Sequence, residues 1–437
     1  MMAPINILIV GCSIAGPTLA TFLLMPSAPA SEKPRITILE RAPVFRPQGQ
    51  NIDVRGAGVT IVRKLGLESA IRAATTGEEG VQLVDKENRV WAAFGADKSG
   101  KTQTPTSDIE ILRGRLAQLL LEQSQKVNAA VQADGGAGIE YIFGDSLDDL
   151  EQDGDKVHVH FAKSGERRTF DLVVGADGVQ SRTRILTWGE AGEEDRRRRL
   201  GMYGGFFSMP RGPTDSAWRR WFHAPGRRGI MIRPSGVEDR TTVFMAVVNE
   251  KDERLRAVAE RKGGSTDAQK AILREYFEGL GWETDRVIKE MIATDDFYYD
   301  TVCQIKMDKW SKGRVVLLGD AGYCASPLSG MGTTLAMSGA YNLAGAILQH
   351  PNDLETAFGD YEEKMRPTVA RAQKLAPGMP HSLHPETVWG VWLLNTIMFV
   401  LYWSGLFPFV ARFAGPPANN VPVEEYGFES LPIYKDY

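Results

Sequence analysis

The chain is poor in the residues that staple a fold or bind metal. Only Cys12, Cys303 and Cys324 occur in its 437 residues. An odd number of cysteines at no metal or redox spacing points to a reducing compartment and no disulfide framework, so a cytoplasmic protein is expected. The six histidines do not cluster: His158 and His160 share a strand face, His381 and His384 flank a proline-rich loop, and no metal site is expected. No G-x-S-x-G elbow suggests a hydrolase, and no internal repeat or low-complexity tract is present. Neither sign of charge dominates. With a net charge of −4 and a pI near 6.0, nucleic acid or an anionic membrane is not expected as the main partner. No Lys or Arg precedes Lys33, so the apolar run 5–25 followed by "SAPA" lacks the charged region of a secretory signal and reads as folded core.

Charge is also missing from residues 387–411, "TVWGVWLLNTIMFVLYWSGLFPFVA", which hold no Asp, Glu, Lys, Arg or His. That length could span a bilayer. Asn395 and the helix-breaking "SGLFP" are expected to divide it into two short apolar helices. Spanning, interfacial docking and packing across two domains beside a substrate cavity all stay open, with packing the favoured expectation over membrane contact.

What is present is ordinary globular composition, 43% hydrophobic and 24% charged, in a chain long enough for two connected domains. Near the start, residues 6–10 read as a buried strand, followed by "GCSIAGPTLA" and a helix over 14–24. Gly11 and Gly16 fill the outer positions of a dinucleotide-binding turn, and the small Ser13 stands where the middle glycine usually does. The helix beginning at Ile14, Ala15 and Gly16 would direct its amides at phosphate. A second strand over 35–39 ends in Glu40, where a carboxylate can accept both hydroxyls of a ribose.

A short apolar stretch over 52–54 and a helix over 59–67 follow, then an amphipathic helix "EILRGRLAQLLLEQ" from Glu110. From about 201 to 249 the pattern becomes strands between Gly/Pro turns, "GGFFSM", "WRRWFHA", "GIMIRP" and "TTVFMAVV". Parallel-type strand and helix return at "GRVVLLGDAG" and "TTLAMSGAYNLAGAILQ". The expected organisation is therefore a discontinuous nucleotide-binding domain, residues 1–186 and 296–372, with a sheet-rich substrate domain at 187–295 and a C-terminal helical, apolar segment at 373–437. The charge run "EEDRRRR", 193–199, reads as a solvated loop rather than a phosphate site.

Two further stretches carry glycines and acids directly after apolar strands. "DLVVGADGVQSRTR" places Gly175, Asp177 and Gly178, with Ser181 and Arg184 behind them; "GRVVLLGDAGYCASPLSGMGTTLAM" places Gly319, Asp320, Pro327, Gly330 and Gly332. Together with "GCSIAG" and Glu40, these resemble the three-motif pattern of FAD-dependent aromatic hydroxylases of the p-hydroxybenzoate hydroxylase fold. The compact size is similar to that of the tetracycline-inactivating and fungal secondary-metabolite monooxygenases.

The resemblance implies an α/β fold, a Rossmann-like FAD-binding domain with an inserted substrate domain. It implies that FAD is held by Gly11, Ser13, Ile14, Ala15 and Gly16, by Glu40 and the neighbouring Arg41, by Asp177 and Asp320, and by Pro327, Gly330, Met331 and Gly332. Asp320 would accept from the ribityl chain, while the helix after Gly332 would turn its amides toward the pyrimidine edge of the flavin. Arg113 in "EILR" matches the arginine that reaches the cofactor, and Arg46 and Asp53 stand where loop residues approach the flavin. The usual "GDAAH" is here "GDAGY", so no role of that histidine carries over to Tyr323.

No second dinucleotide turn follows a strand, so NADPH or NADH is expected only as a transient reductant. The activity implied is that of a monooxygenase: NAD(P)H reduces FAD, oxygen adds to it, and the hydroperoxide passes one oxygen atom to an electron-rich, polycyclic or phenolic small molecule. Phe206, Trp218, Trp221, Met231 and Phe244 could line the pocket, and Arg219, Arg220, His223 or Tyr323 could orient a phenol; nothing in the sequence selects a catalytic residue among them. A flavin-linked reductase or dehydrogenase, and a flavin-binding protein docked to membrane without turnover, are the alternatives. Oligomeric state is not indicated.

Overall fold

In the computed structural model, residues 4–25, 28–45, 49–96, 107–260, 265–407 and 423–434 are described. The chain builds a six-stranded sheet in which Asn6–Val10 lies between Leu172–Gly175 and Arg35–Glu40, with Val315–Leu317 and Ile139–Phe143 outside them. These five strands run parallel, and the short Ser311–Lys312 adds an antiparallel edge. Both faces of the central strands are covered, which is why they read as continuous apolar runs. Ile7 and Ile9 pack beneath the helices Ala15–Leu24, Arg113–Ala133 and Gly332–Gln349, while Leu8 and Val10 face a three-stranded antiparallel sheet through Val157, Val159, Phe161 and Phe170.

Register places Val10, Leu39, Gly175 and Leu317 in one row. The turns after four strands therefore leave the sheet together at its carboxyl edge, where a doubly wound sheet binds ligands. That edge gathers all three sequence motifs.

A second sheet has seven strands, ordered Tyr298–Ile305, Arg197–Pro210, Arg240–Val248, Arg228–Pro234, Trp218–Ala224, Gly80–Val84 and Val90–Gly95. Three of these strands come from outside residues 187–295. One face packs on the helices Thr266–Phe277 and Thr284–Ala293 through Phe207, Ile230, Val243 and Met245. The other face looks toward the first sheet's carboxyl edge, and a buried polar link joins the two. Asn51 Nδ2 donates to Glu110 Oε1 and to the Pro234 carbonyl, both at 2.8 Å, and its Oδ1 accepts from Thr242 at 2.9 Å. Arg219 and Arg233 both pair with Glu78 and Glu110.

Several local expectations change. The amphipathic helix begins at Arg113, because Glu110–Leu112 pairs as a strand with Asn51–Asp53. The charge run is a one-turn helix, Glu193–Arg196, leading into a strand, and some of its charges are paired: Glu193 with Arg184, and Arg199 with Glu194. Asn395 does not divide the apolar segment. The helix Val388–Trp403 passes through it, capped by Thr387, whose Oγ1 accepts from Gly390 N, and ends where "SGLFP" begins, before Gly405 at φ +68°; residues 408–411 lie outside the described residues. An asparagine costs an α-helix only a few tenths of a kcal/mol, roughly, less than glycine or proline. The helix packs on the edge strand Val90–Gly95, with Met398 against the cluster of Val81, Leu83, Ala92 and Phe94 and Tyr402 against Phe94, and it leaves Trp389, Trp392 and Trp403 exposed. Among the described residues no helix is long and apolar enough to cross a membrane.

Candidate functional site

The turn after Asn6–Val10 is shaped by two glycines. Gly11 has φ +115°, and a Cβ there would lie 2.4 Å from the Ala176 carbonyl oxygen; a Cβ at Gly16 would lie 2.0 Å from the carbonyl oxygen of Gly11. Neither position accepts a side chain, so the helix Ala15–Leu24 sits directly against its strand. That helix has no side-chain cap and no acid in its first turn, which leaves its positive end available to an anion. Ile14, Ala15 and Gly16 are buried behind the turn, and Ser13 is partly open in front of it.

Glu40 lies at the neighbouring strand end. Its Oε2 accepts from the Cys12 amide at 3.0 Å and its Oε1 from the Ala42 amide at 2.9 Å. These bonds fix the carboxylate beside the turn, and each oxygen keeps a lone pair for a further donor such as a ribose hydroxyl. Arg41 follows it and is exposed. Arg46 lies outside the described residues.

Across the cleft, Arg113 starts its helix with its amide bound to the Gln50 carbonyl at 2.9 Å and its Nη2 donating to Ser13 Oγ at 3.3 Å. Its charge is also felt by Asp320. Burial pushes the Asp320 carboxyl above the usual carboxylate range, and Arg113 opposes that shift. Asp320 nevertheless has exposed surface: it lies deep in the protein and opens onto the cleft rather than onto bulk solvent. A Cβ at Gly332 would stand 4.0 Å from Asp320 Oδ1, and one at Gly330 3.8 Å from Asp53 Oδ2. Gly330 is left-handed, at φ +62°. It turns the chain from Pro327–Ser329, whose Pro327 is exposed, into the helix Gly332–Gln349, which has no side-chain cap after Met331 and no acid in its first turn. Asp53 itself pairs with Arg55 at 3.0 Å.

Asp177 is occupied differently. Its Oδ2 accepts from both the amide and the hydroxyl of Thr183 at 3.0 Å, and its Oδ1 from Ser181. It shapes the loop that presses the Ala176 carbonyl onto Gly11.

The structure thus brings the turn at 11–16, Glu40, Arg113, Asp320, Asp53 and 330–332 around one cleft. Two uncapped helix ends, a cradle that admits only glycine, and acids placed for hydroxyls fit a dinucleotide with an anionic or polarised ring system. Sequence reasoning missed Gln50 and Tyr298, whose hydroxyl donates to Gln50 Oε1 at 2.9 Å, and Asp300, which burial and Asp320 push above its ordinary range. None lies in a motif, and only strand pairing brings them here.

From Tyr298 a row of side chains crosses five strands. Register pairs Tyr298 with Phe206, Phe206 with Phe244, Phe244 with Met231, and Met231 with Trp221. The rings of Phe206 and Phe244 stack at 4.2 Å, and those of Phe206 and Tyr298 at 4.8 Å. All five residues are partly exposed, whereas their strand neighbours Phe207, Met245, Ile230, Ile232 and Phe222 are buried. The row is therefore the floor of an open groove, about 19 Å long at roughly 4.8 Å per strand.

Trp218, an odd number of residues from Trp221, points to the opposite face. Arg220 does the same and pairs with Asp215 and Glu283. Arg219 is held by Glu78 and Glu110, and Tyr323 is 1% exposed, with its ring 4.5 Å from Trp310 and its hydroxyl 2.9 Å from that of Tyr361. Arg220 and Tyr323 therefore do not reach the groove; Arg219 and His223 share the row's face, two residues either side of Trp221, and Arg219 is engaged by Glu78 and Glu110.

Comparison with known proteins shows the family. The family described as FAD binding domain matches residues 4–375. The chain is 34% identical over 402 residues to the FAD-dependent monooxygenase asL6 of Sarocladium schorii, covering 91% of this chain and 92% of that one. It is 34% identical over 408 residues to monooxygenase CTB7 of Cercospora beticola, covering 91% and 93%. Among solved structures, the tetracycline destructase Tet(51) superposes with a TM-score of 0.72 at 26% identity, over 98% of this chain and 100% of that one. The chain belongs to the FAD binding domain family and, within it, to the FAD-dependent monooxygenases.

Proposed function

We propose that this monooxygenase takes NADPH or NADH as a transient reductant and inserts one atom of dioxygen into an electron-rich, polycyclic or phenolic substrate lying along the groove from Tyr298 to Trp221. The observation that carries the reading is the partly exposed aromatic row itself, which begins beside Gln50 and Arg113 at the flavin cleft. Two stacked ring pairs give it a flat, uncharged surface suited to a planar aromatic partner. The tetracycline destructases of similar structure are named for a polycyclic compound.

Bound FAD supplies the redox chemistry, accepting electrons from the nicotinamide and activating dioxygen once reduced. The chain's own residues do the rest. Gly11–Gly16 and Glu40 hold the adenosine and pyrophosphate half, and Asp320 holds the polyol chain. The end of Gly332–Gln349 favours negative charge on the ring system. The apolar floor excludes water from the substrate face. Beyond the half-site at 11–16 no second dinucleotide turn is found among the described residues, which supports a nicotinamide that visits and leaves. Three free, buried cysteines support a reducing, cytoplasmic setting.

The test is NADPH consumption by the purified yellow holoenzyme across a panel of polycyclic phenols. A fitting phenol should accelerate flavin reduction and yield a product heavier by one oxygen. If no phenol changes the slow basal rate while a non-aromatic substrate does, this substrate class is wrong.

A further inference from the structure

Beside Trp221, on the same face of the sheet, three buried imidazole nitrogens have no hydrogen-bond partner. His223 is 4% exposed with both Nδ1 and Nε2 unpartnered, and His384 is 1% exposed with Nε2 unpartnered. The two rings lie 5.8 Å apart, and that of His223 lies 4.7 Å from the ring of Trp221. His223 is paired in register with Gly229. A Cβ at Gly229 would meet His384 Nε2 at 3.2 Å and Trp221 Nε1 at 3.3 Å, so glycine there makes room for the second imidazole over the sheet.

Buried polar groups are costly without partners, about 1–3 kcal/mol each, and native proteins rarely leave them so. Tautomer chemistry says what is missing. His384 Nδ1 lies 3.2 Å from the Pro380 carbonyl, which only accepts, so Nδ1 carries the proton and Nε2 is a bare acceptor. Neutral His223 offers one donor and one acceptor more. Burial keeps both rings neutral, with pKa values lowered to about 3 for His223 and about 4 for His384. A hydroxyl group can meet two of these three, donating to His384 Nε2 and accepting from the protonated nitrogen of His223.

We propose that His223 and His384 form a recognition subsite for a phenolic hydroxyl on the end of the substrate remote from the flavin. The subsite rests on the reading of the groove as the place of a polycyclic or phenolic substrate, and adds the polar group that orients it. The nitrogens are closed off from solvent, and His384 is held on its other side by the bond from Nδ1 to the Pro380 carbonyl.

The test needs no turnover. A monohydroxyanthraquinone and its methyl ether are titrated into the oxidised holoenzyme and followed by the flavin spectrum and tryptophan quenching. The wild type should prefer the hydroxyl compound by about tenfold, the worth of roughly one net hydrogen bond near the upper end of its range. His223→Phe should abolish the preference while binding the methyl ether within about twofold of wild type. His223→Asn, which keeps a donor and an acceptor, should restore part of the preference and serves as the comparison if the Phe variant does not accumulate as yellow protein. Equal binding of the two compounds by the wild type, or an unchanged preference in the variants, would mean that ordered water alone satisfies the pair and would overturn the subsite. An enzyme that turns over a phenol yet shows no such preference separates this failure from failure of the substrate class.

Discussion

Arg184, with no exposed surface, donates from Nη1 to the carbonyl oxygen of Ala321 at 2.7 Å. Its Nη2 donates to the Val179 carbonyl at 2.8 Å, and Nε to Glu193 at 3.1 Å. One side chain thus ties the loop after Leu172–Gly175 to the turn that carries Asp320. Replacing Arg184 by Met leaves Glu193 with only the looser pairing to Arg196, at 3.8 Å, and takes a donor from each of two carbonyls. Losing one partner of a buried pair costs about 3–5 kcal/mol, and because Glu193 keeps some solvent the lower end is expected. Thermal unfolding of Arg184→Met should show that loss together with faster release of FAD; a variant as stable as the parent, with unchanged release, contradicts the tie.

Asp320 and Glu40 are assigned to hydroxyls of the cofactor. Each of Asp320→Ala and Glu40→Ala removes a charged acceptor worth about 1.5–3 kcal/mol, so FAD affinity should fall roughly ten- to a hundredfold in each. Equilibrium titration of the apoprotein with FAD measures this directly. Retention of full affinity by both would remove the assignment.

Phe244 is the middle ring of the floor and also fills the space over Gly204, where a Cβ would meet its ring at 2.2 Å. Phe244→Ala should raise KM for a phenolic substrate by tenfold or more, roughly, since stacked pairs contribute about 0.5–1.5 kcal/mol each beyond the area they bury. The FAD content should not change, because the ring does not belong to the cofactor turns. Loss of flavin with an unchanged KM would place the row outside the substrate site.

The nucleotide half of the molecule is legible in sequence because its signals are local. Strand, glycine turn, helix and terminal acid follow one another over residues 6–40, and Asn6–Val10, Ala15–Leu24 and Arg35–Glu40 form where periodicity puts them. The strands around "GGFFSM", "WRRWFHA", "GIMIRP" and "TTVFMAVV" are legible for the same reason. Their partners are not. Trp221 pairs with Leu83 and Phe206 with Tyr298, and alternation within one strand carries no information about which distant strand lies beside it. The groove's row, the Gln50–Tyr298 bond and the His223–His384 pair therefore emerge only in three dimensions. The helix Val388–Trp403 inverts the usual pattern, burying Asn395 while exposing Trp389 and Trp403, so its orientation could not follow from hydrophobicity.

Both buried histidines have pKa values below the unfolded value of 6.5. Burial is the main cause in each; His384 adds to it for His223, and His381 adds to it for His384 while the Pro380 carbonyl opposes it. The unfolded chain therefore binds more protons between about pH 6.5 and pH 4, and stability falls as pH is lowered through that window. By linkage each histidine removes about 2 kcal/mol between pH 6.5 and 5. Melting curves of the wild type should show this fall, and His384→Phe should show a shallower one. Equal slopes in the two proteins would contradict the neutral, buried assignment.

Oxygen insertion by this enzyme is followed with labelled dioxygen. The holoenzyme is supplied with NADPH, a phenol that accelerates flavin reduction, and labelled O₂ in unlabelled water. One labelled atom should appear in the product and the other in water. A product labelled only from water, or one that has lost two hydrogens and gained no oxygen, would contradict oxygen insertion.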